Sequence, residues 1–204
     1  MDKDNYICIL GKIIELTAEQ IKKLKDVFDE PVRKLAELEP GDIFKVGHHE
    51  FIVLEHCMGE TAVIYKGLLH ENVQFGSNNN FYGSDVDEAC EKFGAELAEQ
   101  IGDDNIVEHT LDLTSDDGLK DYGEVNRQVS LLTADQYRRY VSILDRQKLD
   151  KWWWLATPFS TPTHEDADFV KCVSPSGRLY GDRCSIGGIG VRPFCILKSN
   201  IFVS

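Results

Sequence analysis

The sequence predicts an α+β domain dominated by antiparallel sheet, and three observations predict it. Short runs rich in Val, Ile and Phe follow one another with only turns between them; amphipathic stretches open on capping boxes; and the chain beyond residue 151 keeps a strand pattern to its end. With 204 residues, 42% hydrophobic and 28% charged, the chain can bury a sizeable core in one domain with a small extension.

Taken in order, YICIL (6–10) and KIIEL (12–16) read as a strand pair or one bent strand. Thr17 and Gln20 form a capping box, and Ile21, Leu24, Val27 and Phe28 share one face of the helix it opens, which Pro31 interrupts. Residues 1–38 thus form a strand-helix extension, a candidate oligomerisation arm, and residues 39–204 the domain proper. After a turn at Pro40-Gly41, the runs DIFKV, EFIVLEH and TAVIYKGLL predict an antiparallel meander. FGSNNNFYGS has no periodicity and reads as a loop. Ser84 with Asp87 caps the next helix, whose apolar stripe is Val86, Cys90, Phe93, Leu97 and Ile101, with Asp87, Glu88, Glu91 and Glu96 off it. A strand-like IVEHTLDL and the acidic loop TSDDGLKDYGE follow. Thr133 and Gln136 then open a helix predicted to turn Tyr137, Tyr140, Val141 and Leu144 inward. The finish is all β: WWWLATP, then DFVKCVSP, a Pro-Ser-Gly turn, RLYGDRCS and GVRPFCIL.

Charge is unevenly spread. Residues 1–125 hold 28 Asp and Glu against 11 Lys and Arg, whereas residues 126–204 hold 7 against 11. The segment 85–124 alone carries 14 carboxylates and two cations, Lys92 and Lys120. Such a face repels nucleic acid and attracts basic proteins, so direct nucleic-acid binding is not expected. No apolar run suits a membrane span, and the opening MDKDNYICIL has acids where a secretion signal needs bases, so a cytoplasmic protein with most of its six cysteines free and buried is expected.

The stretch 131–204 carries SLLT at a helix entry, WWLATP within the tryptophan run, a VSPSG turn and a closing GVRPF; GDIFKVGHHEFIVLEH and NNFYGSDVDEAC precede it. Over roughly residues 38–204 this pattern resembles a family of bacterial and phage domains of unknown function, marked by a WWLR-type run and a terminal GVRP. Here Ala-Thr follows WWL, where that family commonly has arginine. The family is similar to C-type-lectin-like domains, which include formylglycine-generating enzymes and the variable proteins of diversity-generating retroelements. The resemblance implies a C-type-lectin-like scaffold displaying a tolerant surface between the tryptophan run and GVRP.

Within that surface Ser176, Arg178, Tyr180, Asp182, Arg183 and Ser185 are the candidate ligand-binding residues, because Tyr and Arg combine contact area with hydrogen bonding. The loop 159–168 is expected to flank them. Trp152, Trp153 and Trp154 cannot all face one way on a strand, so at least one is core and at least one faces elsewhere. Arg192 reads as structural, bonding carbonyls or a carboxylate. Catalytic signals are thin. His48-His49 and His56-Cys57 lack the spacing of a metal site, Cys172 and Cys184 sit among apolar neighbours, and no phosphate loop or nucleophile elbow occurs. The expectation is a binding module without cofactor or metal, whose partner is a protein or small ligand. The alternative is an acidic decoy for a basic nucleic-acid-binding protein.

Overall fold

The computed structural model describes residues 33–204, Thr17, and the backbone of two strands near the start. Those strands, β1 (Tyr6–Ile9) and β2 (Lys12–Glu15), form an antiparallel pair. The helix expected after Thr17 lies outside the described residues.

A central sheet of six strands organises the rest. It contains β4 (Ile43–Val46), β5 (His49–Cys57), β6 (Glu60–Tyr65), β7 (Ile106–Val107), β10 (Val129–Ser130) and β15 (Phe194–Lys198), in the order β10-β15-β6-β5-β4 with β7 also on β15. The meander read from sequence is β4-β5-β6; the C-terminal β15 then inserts between β6 and β10. The two-residue turn Met58-Gly59 joins β5 to β6, with φ of 50° and 86°. Short β3 (Arg33–Lys34) pairs with β16 (Phe202–Val203). Leu35 is fully buried and its N–H donates to Ile201 O at 2.9 Å, so residues 33–38, assigned from sequence to the extension, lie against the main body. The reason is their apolar content: Leu35 and Leu38 join the core.

Among the described residues there are two α-helices, one on each face of this sheet: α1 (Asp85–Ile101) and α2 (Ala134–Leu144). Phe51, Val53 and Val63 face α1 and pack with Val86, Cys90, Phe93 and Leu97. Ile52, Leu54 and Ile64 face α2 and pack with Tyr137, Tyr140 and Leu144. Covering both faces explains why FIVL is continuously apolar rather than alternating. Both caps form as expected: Ser84 Oγ accepts from Asp87 N–H at 3.2 Å, and Thr133 and Gln136 exchange both capping-box bonds at 3.1 and 2.8 Å. Two positions differ from expectation. Val141 is 38% exposed and Ile143 is buried in its place. Asp87, expected off the stripe, is 2% exposed because Arg127 on β9 (Glu124–Arg127) grips its carboxylate with two bonds of 2.8 Å. Strand β8 (His109–Asp112) pairs with β9 in a separate hairpin.

The second sheet carries the order β13-β12-β11-β14, with β11 (Trp152–Pro158), β12 (Phe169–Val173), β13 (Leu179–Arg183) and β14 (Ile189–Gly190). β14 runs parallel to β11; the other pairings are antiparallel. A Cβ on Gly190 would lie 2.8 Å from His70 O, so only glycine lets β14 approach that segment.

Candidate functional site

The tryptophan run divides between environments, as strand alternation requires. Trp153 packs in the α2-side core and Trp154 in the α1-side core, where its indole N–H donates to Val73 O at 3.0 Å. Arg192, 1% exposed, lies 5.1 Å from the Trp153 ring centroid and donates to Tyr65 O at 2.9 Å and Lys66 O at 3.2 Å. It is a structural arginine held by carbonyls, and burial pulls its pKa down to about 10. Trp152 is half-buried and meets Tyr180 edge to face at 5.3 Å.

Strand alternation also sorts the six candidate residues. Arg178, Tyr180 and Asp182 share one face of the second sheet, beside Trp152 and above Cys172 and Val170. Tyr180 is 45% exposed, and among the described residues neither its hydroxyl nor the Arg178 guanidinium has a hydrogen-bond or ion-pair partner. Arg183 projects from the opposite face, over Phe169 at 5.4 Å and 4.0 Å from the Asp168 carboxylate. Ser176 sits in the preceding turn, its hydroxyl 2.9 Å from that of Ser174, and Ser185 in the exposed turn after β13. The structure thus unites three of the six. The loop 159–168 borders only the Arg183 side: Phe159 lies 3.4 Å from where a Gly181 Cβ would stand. On the Tyr180 side the neighbours come from elsewhere, for Phe75 N–H bonds Cys184 O at 2.8 Å and Lys151 pairs with Glu71 at 3.4 Å. No local signal in the sequence links segment 71–75 to this face; its contacts reach across the chain to Lys151, Trp154 and Cys184.

The acidic segment is largely tied inward around its loop. Asp116 accepts from Lys171 at 3.0 Å and Arg138 at 3.1 Å; burial opposes its ionisation, but these bonds lower its pKa. Asp117 accepts from the hydroxyls of Ser115 and Ser160 and from His164 Nδ1, which hold its carboxyl well below the usual range. Asp121 accepts from the Thr161 and Thr163 hydroxyls at 2.6 Å each, with the same effect. Ser160, His164 and Asp117 do not make a nucleophilic triad: serine and histidine both bond Asp117 Oδ2, so the imidazole takes no proton from the hydroxyl. A polar cavity of about 330 Å³ lies between this loop and the start of α2, lined by Thr110, Asp112, Asp116 and Arg138.

Burial pushes the Cys172 thiol up to about 12 and those of Cys90 and Cys195 higher still, so these sulfurs stay protonated at neutral pH. Among the described residues no group of three or more His, Cys, Asp or Glu side chains is placed to hold a metal. No helix among them is long and apolar enough to cross a membrane. In comparisons with protein-family models, with curated proteins and with solved structures, nothing matches this chain.

Proposed function

We propose that this protein is a non-enzymatic binding module that engages a protein or small ligand through the Trp152–Tyr180 face of its second sheet. One observation carries the reading: an exposed tyrosine braced edge-on by a half-buried tryptophan, between an arginine and an aspartate on the same strand face. Rigid aromatic area bordered by unpaired charge is the composition of interface hot spots. Pairing with β12 along its whole length fixes the strand, so the face is organised before a ligand arrives. The tryptophan run followed by GVRPF, and the α+β architecture, support a C-type-lectin-like scaffold of the kind used by variable binding proteins of phage and mobile elements. A reading as an acidic decoy keeps the solvent side of α1 and the exposed Asp104, Glu108 and Glu124 beyond it, since Asp87, Asp116, Asp117 and Asp121 are engaged internally.

The test is to immobilise wild type and an Arg178→Ala/Tyr180→Ala variant, pass a lysate over both, and elute at low and raised salt. A component retained by wild type and lost by the folded variant supports the reading. Retention that ignores the variant and vanishes with salt sinks it and favours the acidic face.

A further inference from the structure

We propose that two copies of this chain associate through β13, edge to edge and antiparallel, about a two-fold axis at Tyr180. β13 is the terminal strand of its sheet. Its register on β12 pairs Tyr180 with Cys172 and Asp182 with Val170, and flanking bonds set the phase: Ser174 N–H donates to Arg178 O at 2.9 Å and Cys184 N–H to Asp168 O at 2.6 Å. In an antiparallel pair these bonds recur at every second residue. The backbone groups of Arg178, Tyr180 and Asp182, with the Cys184 N–H, therefore point at β12, and those of Leu179, Gly181 and Arg183 point away from the sheet.

Arg183 is already committed. Its N–H donates to Asp182 Oδ1 at 2.8 Å and its carbonyl accepts from Ile186 N–H at 3.0 Å. The outward N–H and C=O of Leu179 and Gly181 have no protein partner among the described residues. The open edge is thus the pair of residues flanking Tyr180.

A second copy completes this edge in one register only. Placing Leu179 opposite the partner's Gly181, and Gly181 opposite the partner's Leu179, gives every open donor an acceptor. An axis at Gly181 would instead set Leu179 against the committed Arg183. In the chosen register Tyr180 faces its own counterpart at a non-hydrogen-bonded position, where side chains come closest. Arg178 directly faces the partner's Asp182, and Asp182 the partner's Arg178. Charges on an edge strand ordinarily discourage edge pairing; here the two-fold sets opposite signs against each other at both ends. An isologous contact demands such self-complementarity, and Arg-Leu-Tyr-Gly-Asp has it about its central tyrosine. The association also doubles the aromatic face, since each Trp152–Tyr180 pair then continues into the partner's.

Sedimentation velocity over a concentration series tests this. Wild type should show a reversible monomer–dimer equilibrium. Arg178→Asp and Asp182→Arg each set like charges opposite one another at both ends, and each should raise the dissociation constant about tenfold or more. Mixing the two variants should restore dimer, because the reversed position 178 of one copy then meets the reversed position 182 of the other. Circular dichroism checks that both variants fold, and on wild type alone the Leu179 and Gly181 amides should exchange more slowly as concentration rises. A wild type that stays monomeric, a mixture no better than its components, or exchange independent of concentration overturns the proposal. The pairing stands on backbone geometry and not on the ligand reading: a monomer that retains a partner sinks the pairing alone, and a dimer that retains nothing sinks the ligand reading alone.

Discussion

Arg192 is buried with no carboxylate beside it among the described residues, a costly placement that its surroundings offset in part. Two backbone carbonyls take its N–H groups, and the Trp153 ring covers the guanidinium carbon. Replacing it by a residue of similar shape removes the desolvated charge but strands the Tyr65 and Lys66 carbonyls. Leaving buried acceptors unsatisfied costs roughly 1–3 kcal/mol, so Arg192→Met should lower stability by about that amount, measured by urea unfolding. No loss would mean that water or another donor reaches those carbonyls. The arginine's structural role was legible in GVRPF, where an arginine between Val191 and Pro193 is costly to bury unpaired. Its partners were not, because Tyr65 at the end of β6 and Lys66 just after it lie more than a hundred positions away. Asp87 teaches the same lesson in reverse. Periodicity places it beside the apolar stripe, and Arg127, brought by the β8–β9 hairpin, supplies the charge that makes burying it tolerable, with the Gly83 N–H as a further donor at 2.9 Å.

The elements themselves were mostly readable, since caps and turns act over three or four residues. Both described α-helices start where Ser84 and Thr133 say they should. The β5–β6 turn shows where local chemistry was overruled: Met58, fully exposed, sits at a φ of 50° that side chains other than Gly, Asn and Asp rarely adopt. Pairing of Cys57 with Glu60 imposes this, because a two-residue hairpin loop takes a primed turn, with positive φ at its first position and, in the form seen here, at both. Met58→Asn touches no packing and relieves a left-handed penalty of roughly 1 kcal/mol, so the urea midpoint should rise with the slope unchanged. An unchanged midpoint would show that the turn carries no such strain.

At the scale of the molecule, buried histidines and engaged carboxylates predict acid sensitivity in two stages. Burial lowers the pKa of His109 to about 4 and also lowers that of His49, whose ring nitrogens have no hydrogen-bond partner among the described residues. Between the ordinary value of 6.5 and these lower values the unfolded chain binds protons that the folded one does not. Stability therefore falls as pH drops through that window, by roughly 3 kcal/mol for His109 once pH reaches 4. Asp112, Asp116, Asp117 and Asp121 have lowered pKa values, so the stability they contribute is present above 3.8 and lost below it. Urea midpoints from neutral pH to pH 4 should decline, and His109→Gln should flatten that decline from about 6.5 down to about 4; an identical slope would exclude His109 as its source. Local chemistry alone was enough to specify an α+β chain, its strands, its caps and its lopsided charge, because these depend on neighbours within a turn or a strand. Contacts between distant segments decided the rest. They covered FIVL from both sides, threaded β15 between β6 and β10, and set β14 parallel to β11. They also put Arg178, Tyr180 and Asp182 on the Trp152 face and Arg183 on the other, since strand alternation sorts residues onto two faces while only packing says which face stays open.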